Sequence, residues 1–492
     1  MRAVEPEELA GALKRLADWA QQHAPQPESP VRRRLVEHFR TDPADLPVVT
    51  RPLQPWDRPN LQVALDAWLE GRDHEVLGVP LMEGYRAGLA ELVREAGWGV
   101  GVALGGVEHL TVPLGEDDAV VCVQAGLWLV ADAGDGDPAV IMLKAAGWGG
   151  ETESLALEVM ASTRARAEAV LEALRRLMAE RNVYRGRVLE LRSRHFHEDE
   201  GAPLTVHALP PIERDRIVLP EGVLERIERQ ALGMARHADR LRASGRHLRR
   251  GLLLHGPPGV GKTLTAMYLA HRMRDRTVVL LTGQSVGAVR ASVDLATALQ
   301  PAMVILEDAD LVALSRSFGP TNAILFELLN AMDGLDADHD VLFLLTTNRA
   351  DLLEPALAAR PGRIDQAVEL APPDAVGRGR LLDLYGEGLR VRLERRDELI
   401  AGHEGTTPAF IRELLRRAAL IAAERGDGPI AVDDGDLTAA LAELRRGDDD
   451  LTPRLLGAQA DAAFAPPGLD LDDDDDDADG DGPGPSAWTG YG

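Results

Sequence analysis

Gly251-Leu-Leu-Leu-His-Gly256-Pro-Pro-Gly-Val-Gly-Lys-Thr-Leu264 is the stretch that decides the fold. Its first four residues are apolar without alternation, the pattern of a strand buried on both faces of a parallel sheet. Gly-x-x-x-x-Gly-Lys-Thr follows at once, and after Thr263 the apolar spacing becomes helical. Glycines let backbone N–H groups turn inward around a phosphate, and the next helix contributes the partial positive charge of its N-terminus. In such a loop Lys262 reaches the β- and γ-phosphates, and the Thr263 hydroxyl binds Mg²⁺. The expected nucleotide-binding set is therefore Gly256, Pro257, Pro258, Gly259, Val260, Gly261, Lys262, Thr263 and Leu264. Only three lysines occur, Lys14, Lys144 and Lys262, among 54 basic residues. Against that arginine background a lysine inside a glycine loop stands out.

Further unbroken apolar runs follow at Val278 to Thr282, Ala302 to Leu306 and Val341 to Thr346, with helical stretches between them. The alternation predicts an α/β, doubly wound parallel sheet. Met303-Val-Ile-Leu306 delivers Glu307, Asp308 and Asp310 at its carboxyl end, where ligands sit in open α/β sheets. One carboxylate is expected to complete the Mg²⁺ shell and another to orient the attacking water, so Thr263, Glu307 and Asp308 form the candidate metal set.

These motifs resemble, in order, those of AAA-family ATPases over about residues 217 to 446. Gly256 to Thr263 is similar to the family's Walker A loop and Val304 to Asp310 to its Walker B strand. Thr346-Thr-Asn348-Arg resembles sensor 1, which implies Asn348 beside the γ-phosphate and water. Pro355-Ala-Leu-Ala-Ala-Arg360-Pro-Gly-Arg363 resembles the second region of homology, which implies that Arg360 and Arg363 act on a neighbour's nucleotide. Asn330-Ala-Met-Asp-Gly-Leu335 matches the family's helix end before the sensor strand. The resemblance implies ATP and Mg²⁺ as ligands, a ring-forming homo-oligomer of hexameric type, and a protein substrate engaged by the N-terminal domain.

The sequence departs from the family in three places. The Walker B pair reads Glu307-Asp308 instead of Asp-Glu, an order similar to the mitochondrial Rieske-protein translocase group, as is Ile217-Val-Leu-Pro-Glu-Gly-Val-Leu-Glu-Arg. Asp308 is expected to polarise water with Glu307 on the metal side; the converse, Asp308 on the metal with Glu307 turned away, stays open. The segment Leu281 to Asp294 has no aromatic-x-Gly pore loop, only Val286-Gly287, so threading of polypeptide is not implied. Gly405-Thr-Thr-Pro-Ala-Phe-Ile411 replaces the Gly-Ala-Asp turn of the lid. Two other readings are carried: an ATP-regulated scaffold or assembly switch, and a phosphotransferase, which would need an acceptor-binding insertion that is not evident.

Outside this block the expectations are coarser. Residues 1–205 read as an N-terminal α+β recognition domain, 206–372 as the ATPase core, 373–446 as a helical lid and 447–492 as an acidic tail. Short β runs fall at Val107 to Leu114, Ala119 to Gln124, Leu127 to Ala131 and Ala139 to Leu143, followed by a long amphipathic helix over Leu155 to Arg181. Gly97-x-Gly99-x-Gly101 lacks dinucleotide-loop spacing, His195-Phe-His197 has no partner cluster for a metal, and no His-Glu-x-x-His motif occurs. A net charge of −26 argues against a nucleic-acid surface. One cysteine, no apolar leader and no membrane-length apolar run lead to an expected cytoplasmic setting.

Overall fold

The computed structural model describes Lys14 and residues 30–79, 88–93, 104–146, 154–191, 204–282, 288–310, 323–334, 338–351, 353, 363–426 and 428–446. They divide into two compact units. One holds residues 1–217, 221–257 and 261–370; the other holds 218–220, 258–260 and everything from 371. The acidic tail, the glycine triplet near residue 99, His195 and His197 lie outside the described residues.

The first unit contains two larger sheets. One has five antiparallel strands in the order β1-β7-β6-β5-β2. These are β1 (Val48–Leu53), β2 (His74–Gly78), β5 (Gly126–Val130), β6 (Ala139–Ala146) and β7 (Ser154–Ala161). A hairpin of β3 (His109–Pro113) and β4 (Ala119–Val123) lies between β2 and β5 in the chain. Period-2 alternation splits the side chains between two cores. Trp128, Ile141 and Val159 pack with α2 (Arg58–Leu69) and α4 (Arg164–Glu180). Leu127, Leu129, Val140 and Met142 pack with α1 (Pro30–Phe39) and α3 (Leu89–Val93).

The long helix expected from Leu155 begins only at Arg164. Residues 154–161 are instead β7, the strand between β1 and β6. Leu155, Leu157 and Val159 alternate onto one core, and Thr163 caps the helix by accepting the Arg166 N–H. The cap and the alternation mark the true start; the continuous apolar–charged mixture hid it.

The second sheet has seven strands in the order β14-β10-β13-β12-β11-β8-β9. Its strands are β8 (Val188–Leu191), β9 (Leu204–His207), β10 (Arg250–His255), β11 (Thr277–Leu281), β12 (Ala302–Leu306), β13 (Val341–Thr347) and β14 (Gln366–Glu369). All pairings are parallel except β8 with β9. The expected boundary at 205 therefore falls inside β9, and β8, placed by sequence in the N-terminal domain, extends this sheet. Both strands are too short and too far from the nucleotide motifs to announce which sheet they join.

Helix α5 (Lys262–Arg272) follows β10. On one face of the sheet α6 (Val289–Ala298) and α7 (Ala323–Asp333) share a core with Val304, Leu306, Phe343 and Leu345. The second unit contains α8 (Ala375–Tyr385), α9 (Arg396–Gly402), α10 (Pro408–Ala423) and α11 (Asp434–Arg446), with the two-stranded β15 (Arg390–Val391) and β16 (Ala431–Val432). Phe410, Leu414, Leu415, Leu437 and Leu444 form its core, with Val218 returning from upstream. Thr407 caps α10 by accepting the Phe410 N–H, and Pro408 opens its first turn.

Candidate nucleotide site

Strand order places the site. Between β10 and β13 lies a point where successive strands leave in opposite directions, and the register sets His255 beside Thr347 and Leu306 beside Leu345. Gly256, Glu307 and Asn348, each the first residue after its strand, thus emerge along one edge.

The loop after β10 has the conformation its glycines permit. Gly256, Gly259 and Gly261 have φ of 145°, 80° and 98°. A Cβ on Gly256 would lie 2.2 Å from the Leu370 carbonyl oxygen, so only glycine fits. Lys262, 6% exposed, opens α5; its ammonium donates to the carbonyls of Gly256 (2.9 Å) and Pro257 (2.8 Å) and to Asn348 Oδ1 (2.8 Å). Burial lowers its pKa, opposed by the charges of Asp308 and Asp310. Pro258, Gly259 and Val260 group with the second unit, where the Ala409 N–H donates to Gly259 O at 3.2 Å. Thr263 and Leu264 are exposed on the first turn of α5.

The two carboxylates after β12 face different partners. Glu307 lies beside the Thr263 side chain, which favours its charged form, and its Oε1 is buried with no partner. Burial first, and the Asp308 charge second, raise its pKa. Asp308 has a φ of 45°, uncommon for a residue with a Cβ. That twist is held by its N–H donating to Thr346 Oγ1 at 3.1 Å, and it turns the carboxylate toward Asn348 Nδ2, 3.4 Å from Oδ1. Asp310, 4% exposed, fixes the neighbouring strand end: it accepts from the Thr347 hydroxyl (2.7 Å) and the Asn348 N–H (3.1 Å).

Residues 252–372 match the family model described as "ATPase family associated with various cellular activities (AAA)". These residues form an AAA ATPase domain. Within the chain's similar relatives, the ATP-dependent zinc metalloprotease FtsH 1 of Symbiobacterium thermophilum is 34% identical over 176 residues, 33% of this chain and 30% of the relative. The 26S proteasome regulatory subunit 7 of Caenorhabditis elegans is 34% identical, over 31% of this chain and 38% of the relative. The proteasome-activating nucleotidase of Methanosphaerula palustris is also 34% identical, over 29% and 38%. The chain thus spans about a third of the length of the curated relatives it matches.

The AAA domain brings Lys262, Thr263, Glu307, Asp308 and Asn348 together; Arg363 lies elsewhere. Its carbonyl packs against Gly251, where a Cβ would come within 2.0 Å, at the opposite end of β10 from the glycine loop. Five strand residues at about 3.3 Å each put roughly 16 Å of sheet between them. Arg363 forms an ion pair with Asp333 at the end of α7, and burial together with Arg249 lowers its pKa. Arg360 and the Val286-Gly287 segment lie outside the described residues. Thr346, Asp310 and Asp333 were not singled out for these roles by sequence reasoning. Thr346 and Asp310 lie within the quoted motifs, but their hydrogen bonds depend on strand register, which a linear reading lacks. Among the described residues, no group of three or more His, Cys, Asp or Glu is placed to hold a metal ion by itself, and no helix is long and apolar enough to cross a membrane.

Proposed function

We propose that this chain binds Mg²⁺–ATP at the edge formed by β10, β12 and β13, hydrolyses it, and uses the cycle in an oligomeric ring to remodel a protein partner. The observation that carries the proposal is the division of labour between adjacent carboxylates. Glu307 lies beside the Thr263 hydroxyl and keeps one buried oxygen without a partner, a donor set that fits a hard cation. Asp308 turns away toward Asn348, which supports the water-polarising role for Asp308. Mg²⁺, held by Thr263 and Glu307, would supply charge neutralisation at the β- and γ-phosphates. Lys262 exchanges its loop carbonyls for phosphate oxygens, Asn348 orients water, and Asp308 accepts its proton.

Arg363 supports the ring. With the depth of the sheet between it and its own glycine loop, its charge serves a nucleotide only in another copy. Arg360 is proposed beside it from the Arg-Pro-Gly-Arg spacing alone. The relatives' printed names, a proteasome regulatory subunit, a proteasome-activating nucleotidase and an ATP-dependent protease, favour a polypeptide as the object of the work. A hexameric ring in the cytoplasm and recognition by the N-terminal part belong to the same proposal.

Steady-state phosphate release with Mg²⁺–ATP tests it. Asp308→Asn is expected to lower kcat by about 10²–10⁴ while leaving nucleotide binding intact, whereas Glu307→Gln raises the Mg²⁺ concentration needed for half-maximal turnover. Normal turnover by Asp308→Asn with loss in Glu307→Gln at saturating Mg²⁺ would reverse the assignment.

A further inference from the structure

We propose that the N-terminal sheet carries a cleft that takes an extended polypeptide segment as an added strand between β2 and residues 105–109. This deepens the reading that the chain acts on a protein partner, naming the surface and the partner's conformation.

Strand β2 is an edge strand of the five-stranded sheet and pairs on its inner side with β5. On its outer side a single bridge ties it to the approach to β3: Gly78 and Gly105 exchange two N–H···O bonds of 3.1 Å. Gly78 is required there, since a Cβ would lie 1.9 Å from the Gly106 carbonyl oxygen. Continued in antiparallel register, that bridge would set Val76 opposite Val107 and His74 opposite His109. Those pairings are not made. A cavity of about 890 Å³ opens instead, lined by all four residues.

Both walls present backbone groups to this gap. The Ala131 N–H donates to Asp73 O, so odd-numbered residues of β2 face β5 and His74 and Val76 face outward. The Gln124 N–H donates to Glu108 O, so even-numbered residues face β4, and the N–H and C=O of Val107 and His109 face the cleft. Two strand edges whose outward backbone groups have no backbone partner among the described residues supply the donors and acceptors with which one extended peptide pairs. Val76 and Val107 pack on the same core as Trp128, so alternate side chains of the guest would fall on an apolar floor completed by Val63 and Ala67 of α2. Asp66 and Glu70 are balanced around the cleft by Arg72 and Arg181, so charge does not choose the guest. The occupant is an extended segment with apolar residues at every second position.

Hydrogen exchange on the full chain without nucleotide tests this, with reduced, carboxymethylated lactalbumin as a permanently unfolded probe. The amides of His74, Val76, Val107 and His109 are expected to slow at least tenfold when the probe binds, with no matching change in 139–146. Val107→Pro removes one cleft-facing donor and none of the β3–β4 bonds; it is expected to weaken probe binding at least tenfold at unchanged basal ATP turnover and circular dichroism. Val107→Ala, which keeps the N–H, should bind nearly as the parent does. No binding, binding without protection at these amides, or protection already present without the probe (the two edges pairing with each other) would each overturn the cleft. ATP turnover with no protection sinks the cleft and spares the ATPase reading; protection with no turnover does the reverse.

Discussion

Replacing Asp340 by Asn removes a carboxylate that, among the described residues, contacts two buried guanidiniums beside the nucleotide sheet. Asp340, 4% exposed, precedes β13 and accepts two bonds from Arg276 at 2.8 and 2.7 Å, while Arg250 Nη1 lies 3.5 Å away. Arg250 and Arg276 are 4% and 3% exposed, and Nε of each is buried with no partner. Burial brings Arg250 down to about 10, with the Asp340 charge the largest influence opposing it. Asparagine keeps the shape and leaves Arg276 without its two-bonded carboxylate and Arg250 with the weaker influence of Asp365. Removing one partner of a buried ion pair costs about 3–5 kcal/mol, and with two cations affected the upper half of that range is expected. At about 2–4 °C per kcal/mol for a unit of this size, the thermal midpoint falls by roughly 8–20 °C. Scanning calorimetry of the full chain reads the shift. Arg250→Met should stay within about 1 kcal/mol of the parent or exceed it, because Arg276 keeps its two-bonded partner and a buried ion gives way to an apolar chain. The double variant should recover part of the loss. If Arg250→Met costs as much as Asp340→Asn, the shared-carboxylate account is wrong.

Three further outcomes follow from the site. Glu307 has a raised pKa, from burial first and the Asp308 charge second, so the folded state holds its proton more tightly than the unfolded chain. The stability this gives is complete below the unfolded value and lost as pH rises through the folded one. Nucleotide-free Glu307→Gln, which mimics the protonated form, should therefore melt increasingly above the parent from mildly acid to neutral pH and match it in acid; a constant offset across that range would contradict the burial cause. Gly256→Ala, which sets a methyl 2.2 Å from the Leu370 carbonyl oxygen at a φ of 145°, should cost about 1–3 kcal/mol and abolish binding of a fluorescent ATP analogue. Arg363→Ala and Lys262→Ala subunits, each inactive alone, should regain turnover when mixed, because one interface then joins an intact loop to an intact arginine; silence at all mixing ratios would count against action between subunits.

The AAA domain was legible in the sequence because its signals are local. Unbroken apolar runs such as Val341 to Thr346 give buried parallel strands, and the residues just beyond them carry the chemistry. The N-terminal part was less legible because its decisive facts are pairings. Residues 154–161 alternate Leu, Leu and Val against Glu158 yet run into a true helix, so only the partners β1 and β6 show where strand ends. Strand β8 looks like its neighbours in composition; its pairing with β11 decides its sheet. Trp128, an aromatic inside an apolar run, is buried, the fate such a residue usually has.

The same contrast explains the reversed carboxylate pair. Successive residues leaving a strand point apart, so sequence alone permits two assignments of Glu307 and Asp308. What separates them is a hydrogen bond from a neighbouring strand. The β12–β13 register brings Thr346 within 3.1 Å of the Asp308 N–H and stabilises a backbone twist that a lone strand end would resist. That twist swings the shorter carboxylate to Asn348, while the longer one lies beside Thr263. On this geometry a swap of side-chain length is compensated by a change of direction. Thr346 therefore acts as a positioning residue: Thr346→Val removes the acceptor, releases the twist at Asp308, and should lower kcat with little change in the nucleotide's Kd.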